Sequence, residues 1–173
     1  FDPDHLMDLY VKAGAKYFVS MGAHHDNFDL WNSKHQEWNA VNHGPKKDIV
    51  GLWRDAARKR GLRFGVSEHF ARSYNWIQRS HGSDAEGPMA GVPYDGADPK
   101  YARLYGPPHG DVSGGYPTNA PPAWTREWFN RMHDLVHSYE PDLVYSDGGI
   151  PFGEVGRSFM ADFYNANLAR NSG

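Results

Sequence analysis

Helix and strand signals alternate along this chain, and that alternation limits the fold more than any other feature. Asp2-Pro3 reads as an N-cap with proline at the first helical position. Leu6, Leu9, Tyr10 and Ala13 follow at i, i+3, i+4 and i+7, and Gly14 closes the helix. Residues 16–21 form a short apolar run of strand character. A second helix pattern covers residues 48–60, with Ile49, Leu52, Trp53 and Ala56 on one face and Gly61 as its stop. Residues 62–67 are the next strand. The third helix carries Trp128, Phe129, Met132, Leu135, Val136 and Tyr139 as one stripe and ends at Pro141, ahead of a strand over residues 143–146. A last helix pattern, with Val155, Phe159, Phe163 and Tyr164, runs to the end of the chain. Strands separated in this way call for parallel pairing with crossover helices, so the expected class is α/β.

Between residues 71 and 123 the pattern lapses. These 53 residues hold eight Gly, eight Pro and six aromatics, and only Asp98-Pro99 looks like the cap of a short helix, through Leu104. A loop this long inside a compact domain is usually functional, and it reads as an insertion over an active site. The chain opens in one helix pattern and stops in another, like an excerpt. Residues 1–173 are therefore expected to be a fragment of one domain.

Composition excludes several partners. Eighteen Lys+Arg against 21 Asp+Glu give a formal charge of −3. The short basic clusters Lys46-Lys47 and Arg58-Lys59-Arg60 read as solvated helix faces, so no nucleic acid is expected. No apolar run approaches the length of a membrane span, and no membrane partner is expected. With no Cys there is neither a disulfide framework nor a thiolate metal site. Ten His, ten Tyr and six Trp suit a pocket for a polar small molecule such as a sugar.

The chemistry is concentrated where the strands end. The first strand leads to His24-His25-Asp26, the second to Glu68-His69, and the third to Asp147 followed by Gly148-Gly149. In parallel α/β architectures the carboxyl ends of the strands carry the site. Asp147 admits two readings: the start of a turn, or a carboxylate nucleophile or base made approachable by the glycines. His24-His25 admits three: a buried hydrogen-bonded pair, metal ligands, or groups that bind the hydroxyls of a polar ligand. Adjacent strand residues point to opposite faces, which disfavours a shared metal, whereas a kink at the strand end brings both rings into one pocket. Glu68-His69 is either a salt-bridged or capping pair or part of the same site. Core packing is the simpler reading of Trp31 and of Tyr145.

The motifs Gly14-Ala15-Lys16-Tyr17, His24-His25-Asp26-Asn27-Phe28, Leu30-Trp31-Asn32-Ser33, Gly44-Pro45-Lys46-Lys47-Asp48-Ile49-Val50-Gly51 and Gly61-Leu62-Arg63-Phe64-Gly65-Val66 resemble glycoside hydrolase family 29, the α-L-fucosidases. Pro141-Asp142-Leu143-Val144-Tyr145-Ser146-Asp147-Gly148 is similar to the family's nucleophile strand. The resemblance implies a partial (β/α)8 TIM-like barrel of three to four βα units, with residues 71–123 as its Gly/Pro-rich insertion. It implies hydrolysis of terminal α-L-fucose with retention, Asp147 as nucleophile, and no cofactor or metal. His24 and His25 match the paired histidines that bind fucose hydroxyls, and Tyr145 stands where many members have a tryptophan near the sugar. Glu68 and His69 fall where many members carry tyrosines and serine, and Asn27 replaces a common glycine. In the family the general acid/base lies downstream of the nucleophile strand, beyond this chain; Glu154 reads as a helix-start glutamate. A fucosylated glycan or glycoside is the implied partner and a secreted or periplasmic location the implied setting. Two alternatives stand beside this reading: a metal-dependent hydrolase using His24, His25, His69 and Asp147, and a truncated, non-catalytic glycan-binding fragment. An incomplete barrel has open strand edges, which invite self-association.

Overall fold

A computed structural model describes residues 1–171. Helix α1 (Pro3–Lys12) precedes strand β1 (Tyr17–Ala23), α2 (Ile49–Arg58) and β2 (Arg63–Glu68). After two single-turn helices, α3 (Ser73–Trp76) and α4 (Ala102–Tyr105), come α5 (Pro122–Tyr139), β3 (Leu143–Ser146) and α6 (Glu154–Asn171). The strands form one parallel sheet in the order β1-β2-β3. The expected α/β class and strand order of elements are thus present, and β3 has the expected bounds.

Local chemistry sets the helix ends. Asp2 caps α1 by accepting from His5 N at 3.0 Å, and Asp48 caps α2 by accepting from Gly51 N at 3.0 Å. Gly61 takes the left-handed φ of +69° that stops α2, while Leu62 N donates to Ala57 O at 3.1 Å. At the end of α5, Glu140 adopts φ +49° directly before Pro141. Asp98 caps the turn Pro99–Tyr101, which runs into α4, so the expected short helix is there. The rest of residues 71–123 is more ordered than its composition implies. Further 3-10 turns lie at Gln78–His81 and Asp95–Ala97.

The core lies between one face of the sheet and the helices. Phe64 and Val66 on β2 pack with Trp128, Met132 and Leu135 of α5, Ala57 of α2 and Phe159 of α6, all fully buried. Burying a side chain of this size stabilises the fold by about 1.5–3 kcal/mol. Two expected stripes are corrected. On α1 the buried residue is Met7, whereas Leu9 and Tyr10 are exposed; on α2 the buried face is Val50, Gly51, Ala56 and Ala57, with Leu52 exposed. Periodicity fixes the pitch of a stripe but not which neighbour covers it. The other sheet face carries Val19, Met21, Leu143 and Tyr145 and is only partly covered. The outer edges of β1 and β3 have no partner strand among the described residues. No helix among them is long and apolar enough to cross a membrane.

Candidate active site

Register brings the site together. Ala23, Glu68 and Ser146 pair across the three strands, so the next residues along each strand are His24, His69 and Asp147. The sheet slips by one residue between Met21 and Ala23, leaving Gly22 as an extra residue in β1. A bulge re-aims the side chains that follow it, and this is the kink that lets both histidines converge. The His24 and His25 rings lie 4.2 Å apart, and His24 stacks on His69 at 4.7 Å. His69 Nδ1 is 3.6 Å from Asp147 Oδ2, and the Tyr145 hydroxyl donates to Asp147 Oδ1 at 3.5 Å.

Protonation follows from burial. His25 donates from Nδ1 to the carbonyl of His69 at 2.9 Å. Burial lowers its pKa, aided by the nearby His24, Arg72 and His69, against the raising effect of the His69 carbonyl. The ring is therefore held neutral, with Nε2 as an acceptor suited to a ligand hydroxyl. His69 is likewise lowered by burial and by His24, against the opposing pull of Asp147. Nitrogen atoms of His24, His25 and His69 approach within 4.8 Å of one another.

Glu68 requires a correction. A strand alternates its side chains between faces, so Glu68 points opposite to His69, into the helix layer, and is 1% exposed. It accepts from Trp128 Nε1 at 3.3 Å and from Ser146 Oγ at 2.5 Å. Burial raises its pKa despite those hydrogen bonds. It supports the strand ends from behind rather than facing a ligand. Tyr145 also departs from the simpler reading, since it is 51% exposed on the open face beside Asp147. Trp31 keeps to core packing: it is fully buried, and its Nε1 donates to Asp134 at 3.0 Å. Glu154 begins α6 and pairs with Arg157 on the surface.

Sequence reasoning missed the groups that the long segment lends to the site. Trp76 lies against His25 at 4.5 Å. The Arg72 guanidinium sits over the rings of Trp76 and Tyr116, at 5.8 and 5.3 Å. Tyr116 packs on Gly148, where a Cβ would stand 2.8 Å from its ring; Gly148 also has φ +86°. Both facts require glycine at 148. Burial and the carboxylate of Glu68 push the Tyr116 pKa up. Arg72, Trp76 and Tyr116 of residues 71–123 thus lie beside the strand ends. An apolar hollow under the same segment, lined by Tyr74, Ile77, Tyr105 and Trp124, includes none of the strand-end residues.

The loop after β1 is held by a second buried network. Arg131 of α5 makes a bidentate pair with Asp29, by Nε at 3.2 Å and by Nη2, and donates from Nη1 to Asn27 Oδ1 at 2.6 Å. Asn27 has φ +60°, a conformation open to glycine and asparagine, which explains how it replaces the glycine common in the resembling family.

A carboxylate, imidazoles and aromatic faces are gathered at the ends of parallel strands, where α/β enzymes carry their sites. The sequence profile described as alpha-L-fucosidase matches residues 1–170. Tissue alpha-L-fucosidase of Bos taurus is 30% identical over 149 residues, 86% of this chain and 25% of that protein. The Mus musculus protein of the same name is 30% identical over 170 residues, 95% of this chain and 30% of its own length. The crystal structure of Thermotoga maritima alpha-fucosidase in complex with fucose has a TM-score of 0.63 at 28% identity, covering 99% of this chain and 34% of that one. An alpha-L-fucosidase of Lactobacillus casei, at 19% identity, has a TM-score of 0.61 over 98% of this chain and 48% of its own, and shares the fold. The chain belongs to the α-L-fucosidase family of glycoside hydrolases. It spans a quarter to a third of the length of these curated relatives.

Proposed function

We propose that this chain is the middle section of a (β/α)8 barrel that removes terminal α-L-fucose with retention, with Asp147 as the nucleophile. The observation that carries the proposal is the level row of His24, His69 and Asp147, each one residue beyond its strand. Barrel enzymes draw their catalytic groups from several such strand ends. The partial barrel rests on the sheet itself. Parallel sheets are normally covered on both faces, whereas among the described residues one face is only partly covered and both outer edges lack a partner strand, as in an arc of a barrel.

In this mechanism Asp147 attacks the anomeric carbon and the glycosidic oxygen leaves with a proton from a second carboxyl group. In retaining enzymes that group lies about 5–5.5 Å from the nucleophile and later activates water. The resemblance to family 29 implies that this group lies downstream of the nucleophile strand, in keeping with Glu68 being turned away and Glu154 being paired on the surface. Neutral His25 offers Nε2 to a sugar hydroxyl, and His24 and His69 line the same side. Tyr145 orients Asp147, and Trp76 and Tyr116 present faces to the sugar or its aglycone. Hydrogen bonds that tighten in the transition state lower the barrier. Family membership favours this role for the histidines over a hydrolytic metal centre, and a secreted or periplasmic location follows from the same reading.

The test is hydrolysis of an aryl α-L-fucoside by the full-length gene product, with and without chelator. Asp147→Ala is expected to lower kcat by at least about 10⁴-fold, with chelator having no effect. Full turnover in Asp147→Ala, or loss of turnover on chelation, overturns the assignment.

A further inference from the structure

The strand-end chemistry makes no use of His133, His137 or Asp162. His133 and His137 are one turn apart on α5, so their rings leave the same side of the helix, with centroids 4.1 Å apart. Asp162 of α6 meets both. His133 donates from Nδ1 to Oδ2 at 2.9 Å, and His137 Nε2 lies 3.1 Å from each carboxylate oxygen. One ligand atom from each residue lies within 4.8 Å of the others.

A surface trio in which two imidazoles share one carboxylate is the simpler explanation, and four observations argue beyond it. Two imidazoles at i, i+4 with a carboxylate form a donor set suited to zinc and its neighbours. Ligand atoms bonded at about 2.0–2.1 Å to a tetrahedral ion stand about 3.3 Å apart. The two imidazole–carboxylate contacts of 2.9–3.1 Å therefore need to open by only a few tenths of an ångström, and the two imidazoles present ligand nitrogens within 4.8 Å of each other. The donors also come from two helices fixed to each other, since Trp128 of α5 packs edge-on against Phe159 of α6 at 5.4 Å. Rigid elements hold a coordination geometry better than loops do. The side chains are 48%, 43% and 25% exposed, which leaves an entry path and room for a water as fourth ligand.

We propose that His133, His137 and Asp162 form a divalent-cation site of the zinc class that clasps α5 to α6. The site is structural and independent of the fucosidase reading. An ion bound only by the folded state stabilises it in proportion to its occupancy.

The experiment titrates zinc chloride into the metal-free full-length gene product, followed by calorimetry and by the thermal midpoint. One equivalent is expected to bind, with a rise in midpoint that saturates at the same ratio. His137→Ala and Asp162→Asn should each weaken binding by more than about tenfold. Asp162→Asn keeps one acceptor oxygen within reach of both imidazoles, so its metal-free midpoint should stay close to that of the parent. His24→Ala should bind zinc like the parent. The proposal is overturned by absence of stoichiometric binding, by binding that survives His137→Ala and Asp162→Asn, or by binding lost in His24→Ala.

Discussion

Replacing Arg131 by methionine removes a guanidinium that is fully buried between α5 and the loop carrying His24 and His25. Its Cζ lies 3.9 Å from the centre of the Phe70 ring, and methionine fills much of the same volume, so the loss is mainly electrostatic. Asp29 then keeps a fully buried carboxylate without a counter-charge, and Asn27 loses a donor. Removing one partner of a buried pair costs about 3–5 kcal/mol, against a typical total stability of about 5–15 kcal/mol. Urea unfolding of the full-length gene product should show a lower midpoint with an unchanged slope. Adding Asp29→Asn removes the stranded charge and should restore at least about 1 kcal/mol, because a buried amide is less costly than a buried carboxylate. A loss below about 1 kcal/mol for Arg131→Met, or a double variant no more stable than the single one, would mean that the buried pair does not hold this loop.

Other outcomes follow from the same contacts. Asp48 accepts from Gly51 N at the start of α2 and from the buried Tyr139 hydroxyl at 2.7 Å. Asp48→Ala should therefore lose a cap and strand a hydroxyl, destabilising by about 2 kcal/mol or more in urea melts. His25 and His69 have lowered pKa values in the folded state, chiefly through burial. The unfolded chain binds more protons below about pH 6.5, so the stability they contribute is complete above that pH and is lost as pH falls toward the folded pKa values. Urea midpoints measured across this window should rise with pH, and His25→Gln should flatten the rise; an unchanged slope would count against the buried neutral ring.

Much of the fold was legible because its signals are local. Asp2, Asp48, Gly61 and Pro141 mark helix ends through their own backbone chemistry, and the apolar run before Asp147 marks β3. His24-His25 and Asp147 stood out because they follow strands. What escaped depends on partners far along the chain. Arg131 and Asp134 sit within an apolar stripe but are buried because Asp29 and Trp31, about a hundred residues earlier, receive them. Glu68 looked like a companion of His69, yet strand alternation sends it to the other face. Arg72, Trp76 and Tyr116 belong to a segment whose periodicity carries no signal, and only tertiary packing brings them to the strand ends.

In the proposed reaction Asp147 forms a covalent bond to fucose. Incubating the full-length gene product with a fluorinated α-L-fucosyl fluoride, which slows release of the glycosyl-enzyme, allows the labelled peptide to be sequenced by mass spectrometry. One sugar unit is expected on the peptide containing Asp147, attached to that side chain. A label on a different carboxylate would contradict it, as would turnover with inverted stereochemistry and no adduct.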